Sequence, residues 1–243
     1  METFNDRDLT GAEFRECLLD RVRMVGVVMR GGVIEGEVVD LVVNGVEVGA
    51  YVEAELDRRN PDRVLLRSDD PDELREGWRR LQSDWDATIE RIGRTPGLER
   101  RSVNGEWAPI QTLRHLLFAG DAWFRRGVLG QETPYTSISI PGHWLAPGEL
   151  PEVDAKVDAD ADPTWQEVLA VRRTRVAEYT RYLAAADVAT LIAPGSAFQT
   201  EGWPGEEQVP RRIDGVRVVM EEEWWHHRYT VRDLDLMEEQ GTP

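Results

Sequence analysis

Apolar residues in the last two thirds of the chain recur at spacings of three and four, the period of an α-helix with one buried face. Four stretches carry this pattern, at residues 71–93, 109–127, 164–183 and 215–240. The first is the clearest, and its buried face is formed by Leu74, Trp78, Leu81, Trp85, Ile89 and Ile92. Four such faces joined by loops can be buried only against one another. The pattern therefore predicts a mainly α protein built on a four-helix bundle.

Residues that favour helix ends stand where these stretches begin and end. Asp70 precedes Pro71, which suits an N-cap followed by a proline at the first helical position. Thr164 and Glu167 are spaced as a capping box, in which each side chain binds the other residue's backbone N–H. Gly93 can close the first helix. These signals predict where the first and third helices start and where the first one ends.

Two connections between the predicted helices are long. Residues 127–163 are rich in proline, glycine and acidic residues, and loops of this length inside a compact domain are often functional. We interpret this segment as a crossover or a lid. It contains His143, which either folds over the site as a ligand or acid–base group or is an ordinary loop histidine. Residues 194–215 are interpreted as irregular structure or a small hairpin.

The first forty residues follow a different rhythm, in which a large apolar residue recurs at every fifth position. A period of five fits neither a helix nor a strand and indicates a repeat architecture. The repeated residues are Phe4, Leu9, Phe14, Leu19, Met24, Met29, Ile34 and Val39. The rhythm resembles the pentapeptide-repeat family, whose coils form a right-handed β-helix.

This pattern divides the chain into three parts. We predict a pentapeptide-repeat-like segment at residues 1–45, a linker with a short helix at 46–67 and the bundle at 68–243. About two coils bury too little surface to stand alone, because repeat units are stabilised by their neighbours. The segment is therefore interpreted as a structural cap or a dimer surface, with a docking surface for a protein partner as the alternative.

The charge balance narrows the classes of partner. The chain has 29 basic and 46 acidic residues, a net charge of -17, which repels a nucleic-acid backbone. Cys17 is the single cysteine, so an intramolecular disulfide and a thiolate zinc cage are both excluded. No apolar run reaches the length of a membrane-spanning helix. We expect a cytoplasmic protein that acts on a small molecule without nucleic-acid or membrane partners, with a homodimer left open.

The fourth predicted helix carries polar residues on the face that should be apolar. By helical spacing, Glu223 and His227 occupy consecutive turns of the stripe that runs from Val216 to Leu234. An unpaired charge there would be costly, so a compensating group is required. A divalent metal ion is one such group, and His115 on the second helix supplies a third ligand. Two imidazoles and one carboxylate suit Zn²⁺ with an open position, or non-haem Fe²⁺.

Two other readings of these residues stay open at the level of sequence. Glu223 and His227 can form a plain hydrogen-bonded pair, with His115 a satisfied core histidine. A shift of one residue instead selects Glu222 and His226, with Thr230 and Asp233 as companions on the same face. That face looks more solvated, so we prefer the register of Glu223 and His227.

Two short motifs give the chain a family resemblance. The stretch 107–116, WAPIQTLRHL, resembles the second helix of the DinB-like superfamily, with Trp107 just before the helix and His115 as the first metal ligand. The run His226-His227-Arg228 resembles the motif of the family's fourth helix, whose second histidine is a ligand. The resemblance covers about residues 68–240. One departure stands out, because the family's His-x-x-x-His would place a histidine where this chain has Glu223.

The resemblance implies a metal-dependent enzyme. The expected ion is zinc, with nickel, iron and manganese as alternatives, and the expected ligands are His115, Glu223 and His227. The implied activity is that of a thiol-dependent S-transferase, isomerase or hydrolase using a thiol such as mycothiol or bacillithiol. Trp107, His226, His143 and Arg228 are the expected neighbours of the ion or the substrate, and Arg114 shares with Arg228 the option of meeting a substrate carboxylate. The alternative is a non-enzymatic stress-response or interaction protein with a structural or degenerate site.

Overall fold

The structure is a computed structural model that describes residues 3–15, 17–36, 38–142, 156–158, 160–198 and 202–241. Among the described residues, two short strands come first and seven α-helices follow. Their bounds are β1 Val42–Val43, β2 Val46–Glu47, α1 Gly49–Arg59, α2 Asp62–Leu65, α3 Pro71–Gly93, α4 Pro109–Ala119, α5 Trp165–Ala185, α6 Val188–Ile192 and α7 Arg212–Glu239. The prediction of a mainly helical protein is confirmed.

Helices α3, α4, α5 and α7 form the bundle. α3 and α4 each pack against both α5 and α7, so the four apolar faces meet in one core. Leu74 of α3, Leu113 of α4, Val168 of α5 and Val216 of α7 have no exposed surface. Burial of this kind stabilises the fold by about 25 cal/mol per Å² of apolar surface removed from water.

The predicted helix starts are confirmed by their capping bonds. The Asp70 carboxylate accepts a hydrogen bond of 2.7 Å from the backbone N–H of Asp72, and Pro71 opens α3. At the start of α5, Thr164 and Glu167 form the reciprocal capping box. The fourth helix begins at Arg212, three residues before the predicted start.

α4 continues without a break into a π-helix at Gly120–Arg126. The wider turn is visible in the backbone bonds, because the N–H of Gly127 donates to the carbonyl oxygen of Ala122, five residues back. α7 passes close to this segment at Gly215, where an added Cβ would lie 2.7 Å from the carbonyl oxygen of Trp123. Glycine at 215 therefore permits the close approach of the two helices.

The structure does not show the β-helix predicted for the N-terminal segment, residues 1–45. The strands in the described part of the chain are β1 and β2, a two-stranded antiparallel pair that follows the repeats. The five-residue period is nevertheless present in the backbone, as positive φ angles recur at Asp6, Gly11, Arg21, Gly26, Gly31 and Gly36. The repeated apolar side chains are half exposed, from 48% at Leu9 to 71% at Val39.

The remaining connections are largely irregular where the structure describes them. Residues 194–211 contain an isolated antiparallel bridge between Pro194 and Arg211 and a short 3-10 helix at Glu206–Gln208. His143, in the predicted crossover, lies outside the described residues. Within the described part of the chain, no helix combines the length and the apolar character needed to cross a bilayer.

Candidate metal site

Glu223 and His227, the predicted metal ligands on α7, form hydrogen bonds to other residues of the protein. Glu223 is buried, and its two carboxylate oxygens accept hydrogen bonds of 2.7 and 2.6 Å from the guanidinium of Arg172 on α5. His227 meets the hydroxyl of Thr88 on α3 at 2.9 Å through Nε2. Both residues thus face α3 and α5, where their polar atoms are satisfied. The structure does not bring them to His115, so the predicted ligand set of His115, Glu223 and His227 does not come together.

His115 meets instead the residues one position earlier on the helix. The side chains of His115, Glu222 and His226 offer ligand atoms that all lie within 4.8 Å of one another. A shift of one residue turns a side chain by about 100° around a helix axis. This rotation carries Glu222 and His226 away from α3 and α5 and towards α4. The solvation expected for this face is modest, since the side chain of His226 is 18% exposed and that of Glu222 is 31% exposed.

A loop segment orients His115. Its Nδ1 lies 3.1 Å from the carbonyl oxygen of Ile140, so this nitrogen must carry the proton and donate it. Arg114 holds the same segment, because its Nε donates to the carbonyl oxygen of Ile138 at 2.6 Å and its own carbonyl accepts from the N–H of Ile140. Arg114 therefore positions the loop that fixes the imidazole.

The second imidazole is fixed by its own helix. Nδ1 of His226 lies 2.9 Å from the backbone carbonyl of Glu222, one turn earlier, and again the carbonyl can only accept. In both histidines Nε2 is then the nitrogen with the free lone pair. Nε2 of His115 lies 3.5 Å from a carboxylate oxygen of Glu222. A lone pair that faces a carboxylate needs a positive centre between them, either a proton or a metal ion.

The local electrostatics favour the protonation states of metal ligands. Burial lowers the pKa of His226, and the neighbouring charge of His115 lowers it further, so this imidazole is neutral near pH 7. Burial raises the pKa of Glu222, but a hydrogen bond from His115 outweighs burial when a proton is the positive centre between them, and the net shift is downward. Neutral imidazole and ionised carboxylate are the forms that bind divalent cations.

The donor set and its spacing fit a transition-metal ion. Two ligand atoms bound about 2.1 Å from a tetrahedral ion are separated by roughly 3.4 Å. The carboxylate of Glu222 lies 3.5 Å from Nε2 of His115, and the ligand atoms offered by all three residues lie within 4.8 Å of one another. Two histidines with one carboxylate suit zinc with an open position, and also iron, nickel or manganese.

Aromatic rings surround the two imidazoles. Trp107 lies 5.0 Å from the ring of His115 and 6.3 Å from that of His226, and Tyr229 lies 6.1 Å from His226. Trp107 therefore borders both imidazoles. Arg228 is exposed and stacks on Trp224 at 5.3 Å, where it does not face the three ligands.

Sequence reasoning missed Arg172, although the chain carries a signal for it. In α5 the buried face runs through Leu169, Val176, Tyr179 and Leu183, and Arg172 falls on this stripe by spacing. A cation at a core position calls for a buried anion, and Glu223 is the acidic residue on the core face of the fourth predicted helix. The pairing of the two follows from these two stripes read together.

The comparison with known families was informative over most of the bundle. A protein-family model described as DinB superfamily matches residues 95–231, more than half of the chain. This span contains α4, α5, α6 and the part of α7 up to Val231, and so includes all three candidate ligands. No curated protein and no solved structure matches the chain.

Proposed function

Since this chain belongs to the DinB superfamily, we propose that it is a metal-dependent enzyme with one divalent ion held by His115, Glu222 and His226. The favoured ion is zinc. The proposed reaction class is thiol-dependent S-transfer, isomerisation or hydrolysis of a small molecule, with a low-molecular-weight thiol such as mycothiol or bacillithiol as the co-substrate.

One observation carries the proposal. Both histidines direct their Nδ1 protons to backbone carbonyls, at 3.1 Å and 2.9 Å, which leaves Nε2 as the nitrogen able to bind an ion. A hydrogen bond from the other ring nitrogen to a backbone carbonyl is typical of metal-binding histidines, because it fixes the tautomer and the ring orientation. The carboxylate of Glu222 lies 3.5 Å from Nε2 of His115, and a cation would relieve the repulsion between its charge and that lone pair.

The chain's own residues would prepare a small ligand for reaction. A divalent ion at this site would act as a Lewis acid and lower the pKa of a bound water or thiol. The rings of Trp107 and Tyr229 flank the imidazoles and exclude water from that side. Cys17 is exposed and its thiol lies 3.1 Å from the carbonyl oxygen of Arg15, away from the three ligands, so the reacting thiol would come from outside the chain.

Metal binding by purified, untagged protein tests the proposal. We expect one equivalent of Zn²⁺ or Co²⁺ per chain, and at least about 100-fold weaker binding in His115→Ala, Glu222→Ala and His226→Ala, since losing a ligand should exceed the 10–100-fold effect of losing a second-shell partner. His227→Ala is the matched control, because it removes the adjacent imidazole that faces α3. A stoichiometry near zero for the parent protein, or loss of binding only in His227→Ala, contradicts the proposed site.

A thiol titration of the Co²⁺-loaded protein separates an enzyme from the alternative of a structural site. A thiolate that binds cobalt produces an intense sulfur-to-metal charge-transfer band. We expect this band with the parent protein. Its absence at saturating thiol, with cobalt still bound, would favour a structural ion in a stress-response or interaction protein.

A further inference from the structure

Two charged side chains of the N-terminal segment's described residues contact the bundle. Arg15 donates to the carboxylate of Glu106 at 2.9 Å and to the carbonyl oxygen of Asn104. Glu35 accepts a hydrogen bond of 2.7 Å from Arg232 of α7. Arg232 also lies 3.3 Å from Glu106, so the two contacts belong to one ion-pair network.

This network stands directly beside the rings that flank the candidate metal site. Glu106 immediately precedes Trp107, whose ring lies 5.0 Å from His115. The guanidinium of Arg232 lies 5.2 Å from the ring of Tyr229, which in turn contacts His226 at 6.1 Å. Each anchor of the N-terminal segment is therefore one side chain away from a ring that borders an imidazole.

We infer that the N-terminal segment forms one wall of the entrance to the metal site, where it limits the size of the ligands that reach the ion. The segment holds Trp107 and Tyr229 in place through Arg15 and Glu35. The inference rests on the proposed metal site. It assigns to the repeats a role in substrate selection that is separate from a docking or dimer surface.

The charges on this wall also bear on the ligand. Three carboxylates, from Glu35, Glu106 and Asp233, surround the guanidinium of Arg232, and with Arg15 at Glu106 the network still has one more carboxylate than guanidinium groups. Like charges repel, so the wall disfavours bulky anions. Ligands that are compact, or that present an uncharged or cationic part to the two aromatic rings, fit this entrance better.

The wall can be displaced without unfolding the bundle. Ion pairs between partly exposed side chains contribute little to stability, and the side chains of Glu35 and Arg232 are 54% and 30% exposed. Reversal of both anchors in the full chain, Arg15→Glu with Glu35→Arg, replaces attraction with repulsion at Glu106 and at Arg232. The matched control is Asp20→Arg with Arg23→Glu, which reverses the charges of two exposed residues of the same segment whose described contacts do not reach the bundle.

The experiment measures access to bound zinc. The rate at which a bulky chelator, 4-(2-pyridylazo)resorcinol, removes Zn²⁺ should rise at least fivefold in the reversed variant. The zinc Kd and the binding of azide to the Co²⁺ form should stay within about twofold of the parent values. The control variant should match the parent, and raising NaCl from 0.05 to 0.5 M should speed removal from the parent protein but not from the reversed variant.

Three outcomes decide between the readings. Equal removal rates in the parent, reversed and control proteins overturn the inference. A faster rate with a proportionally weaker zinc Kd also overturns it, because the segment would then support the ligands rather than guard their entrance. Absence of zinc binding in the parent protein defeats the proposed function itself, whatever the variants do.

Discussion

Asp121 is an acidic residue buried against two arginines. It has no exposed surface, and its carboxylate lies 2.7 Å from Arg175 and 3.3 Å from Arg125. Burial raises the pKa of Asp121 to about 6, because desolvation of the charged form outweighs the attraction of the two guanidinium groups. The residue therefore titrates close to neutral pH.

This raised pKa predicts a specific dependence of stability on pH. The folded state binds the proton more tightly than the unfolded state, whose aspartate pKa is 3.8. The contribution to stability is fully present below pH 3.8 and is lost as pH rises through about 6. Urea unfolding should show a gain of about 1 kcal/mol between pH 7 and pH 5 that Asp121→Asn lacks. An identical pH profile for the two proteins would show that Asp121 stays charged.

The neighbouring residues Glu222 and Glu223 show how much of a side chain's environment can be predicted from its position on a helix. The burial of Glu223 follows from its place on the apolar stripe, and the structure has it buried. Its partner does not follow from that stripe alone, because Arg172 is 51 residues away on another helix. Glu222 and His226 lie off the stripe, and a face turned towards a neighbouring helix looks the same in sequence as a solvated one.

Among the helices, the rotation of α7 about its axis is fixed by a buried polar layer formed by Arg172, Glu223 and Trp85. Arg172 of α5 binds Glu223 through both oxygens and lies 4.9 Å from the ring of Trp85 on α3. The indole N–H of Trp85 donates to the backbone carbonyl of Glu223 at 3.2 Å. The layer thus joins three helices at one residue of α7, and the preceding residue in the chain is the candidate ligand Glu222.

Replacing Arg172 and Glu223 together should preserve the stability of the fold while it releases the orientation of α7. A buried ion pair replaced by apolar residues of similar volume is often neutral or stabilising, whereas removal of one partner costs about 3–5 kcal/mol. Arg172→Met with Glu223→Met should therefore fold with at least the parent stability, and Arg172→Met alone should not.

The informative measurement on the double variant is metal affinity. Because the rotation of α7 is no longer fixed by a directional contact, we expect zinc binding to weaken about tenfold and the Co²⁺ absorption bands to shift. Parent-like affinity and spectra in a stable double variant would show that apolar packing alone sets the orientation of Glu222 and His226.

Elements with strong local signals could be predicted from the sequence, and the others could not. α3 and α5 begin at their capping residues because the bonds of Asp70 and Thr164 are local. The N-terminal segment has a clear period, visible again in its φ angles, but its packing depends on contacts that the period does not specify. The close approach at Gly215 likewise depends on two helices far apart in sequence.

At the scale of the whole molecule, the candidate site links two helices that are distant in the chain. His115 lies on α4, and Glu222 and His226 lie more than a hundred residues later on α7. The three ligands come together only when the bundle has formed. An ion bound there stabilises the folded state by the free energy of its binding.

Thermal unfolding with and without zinc tests this link. At a free Zn²⁺ concentration 100 times its Kd, the folded state gains about 2.7 kcal/mol. For a chain of this size the melting temperature should rise by roughly 5–10 °C. The same concentration of Mg²⁺, which controls for weak binding to a chain of net charge -17, should leave it unchanged, as should Zn²⁺ added to His226→Ala. A similar rise with Mg²⁺ would indicate general charge neutralisation instead.

The π-helix that follows α4 allows one continuous helix to make two contacts that require different rotations about its axis. Before the π-helix, His115 must point at α7; within it, the carbonyl oxygen of Trp123 must meet the space left by Gly215. A hydrogen-bond span of five residues instead of four holds one extra residue in the turn and offsets the second rotation from the first. Deletion of a single residue between 120 and 126 would therefore leave the upstream half in register and swing the downstream half around its axis.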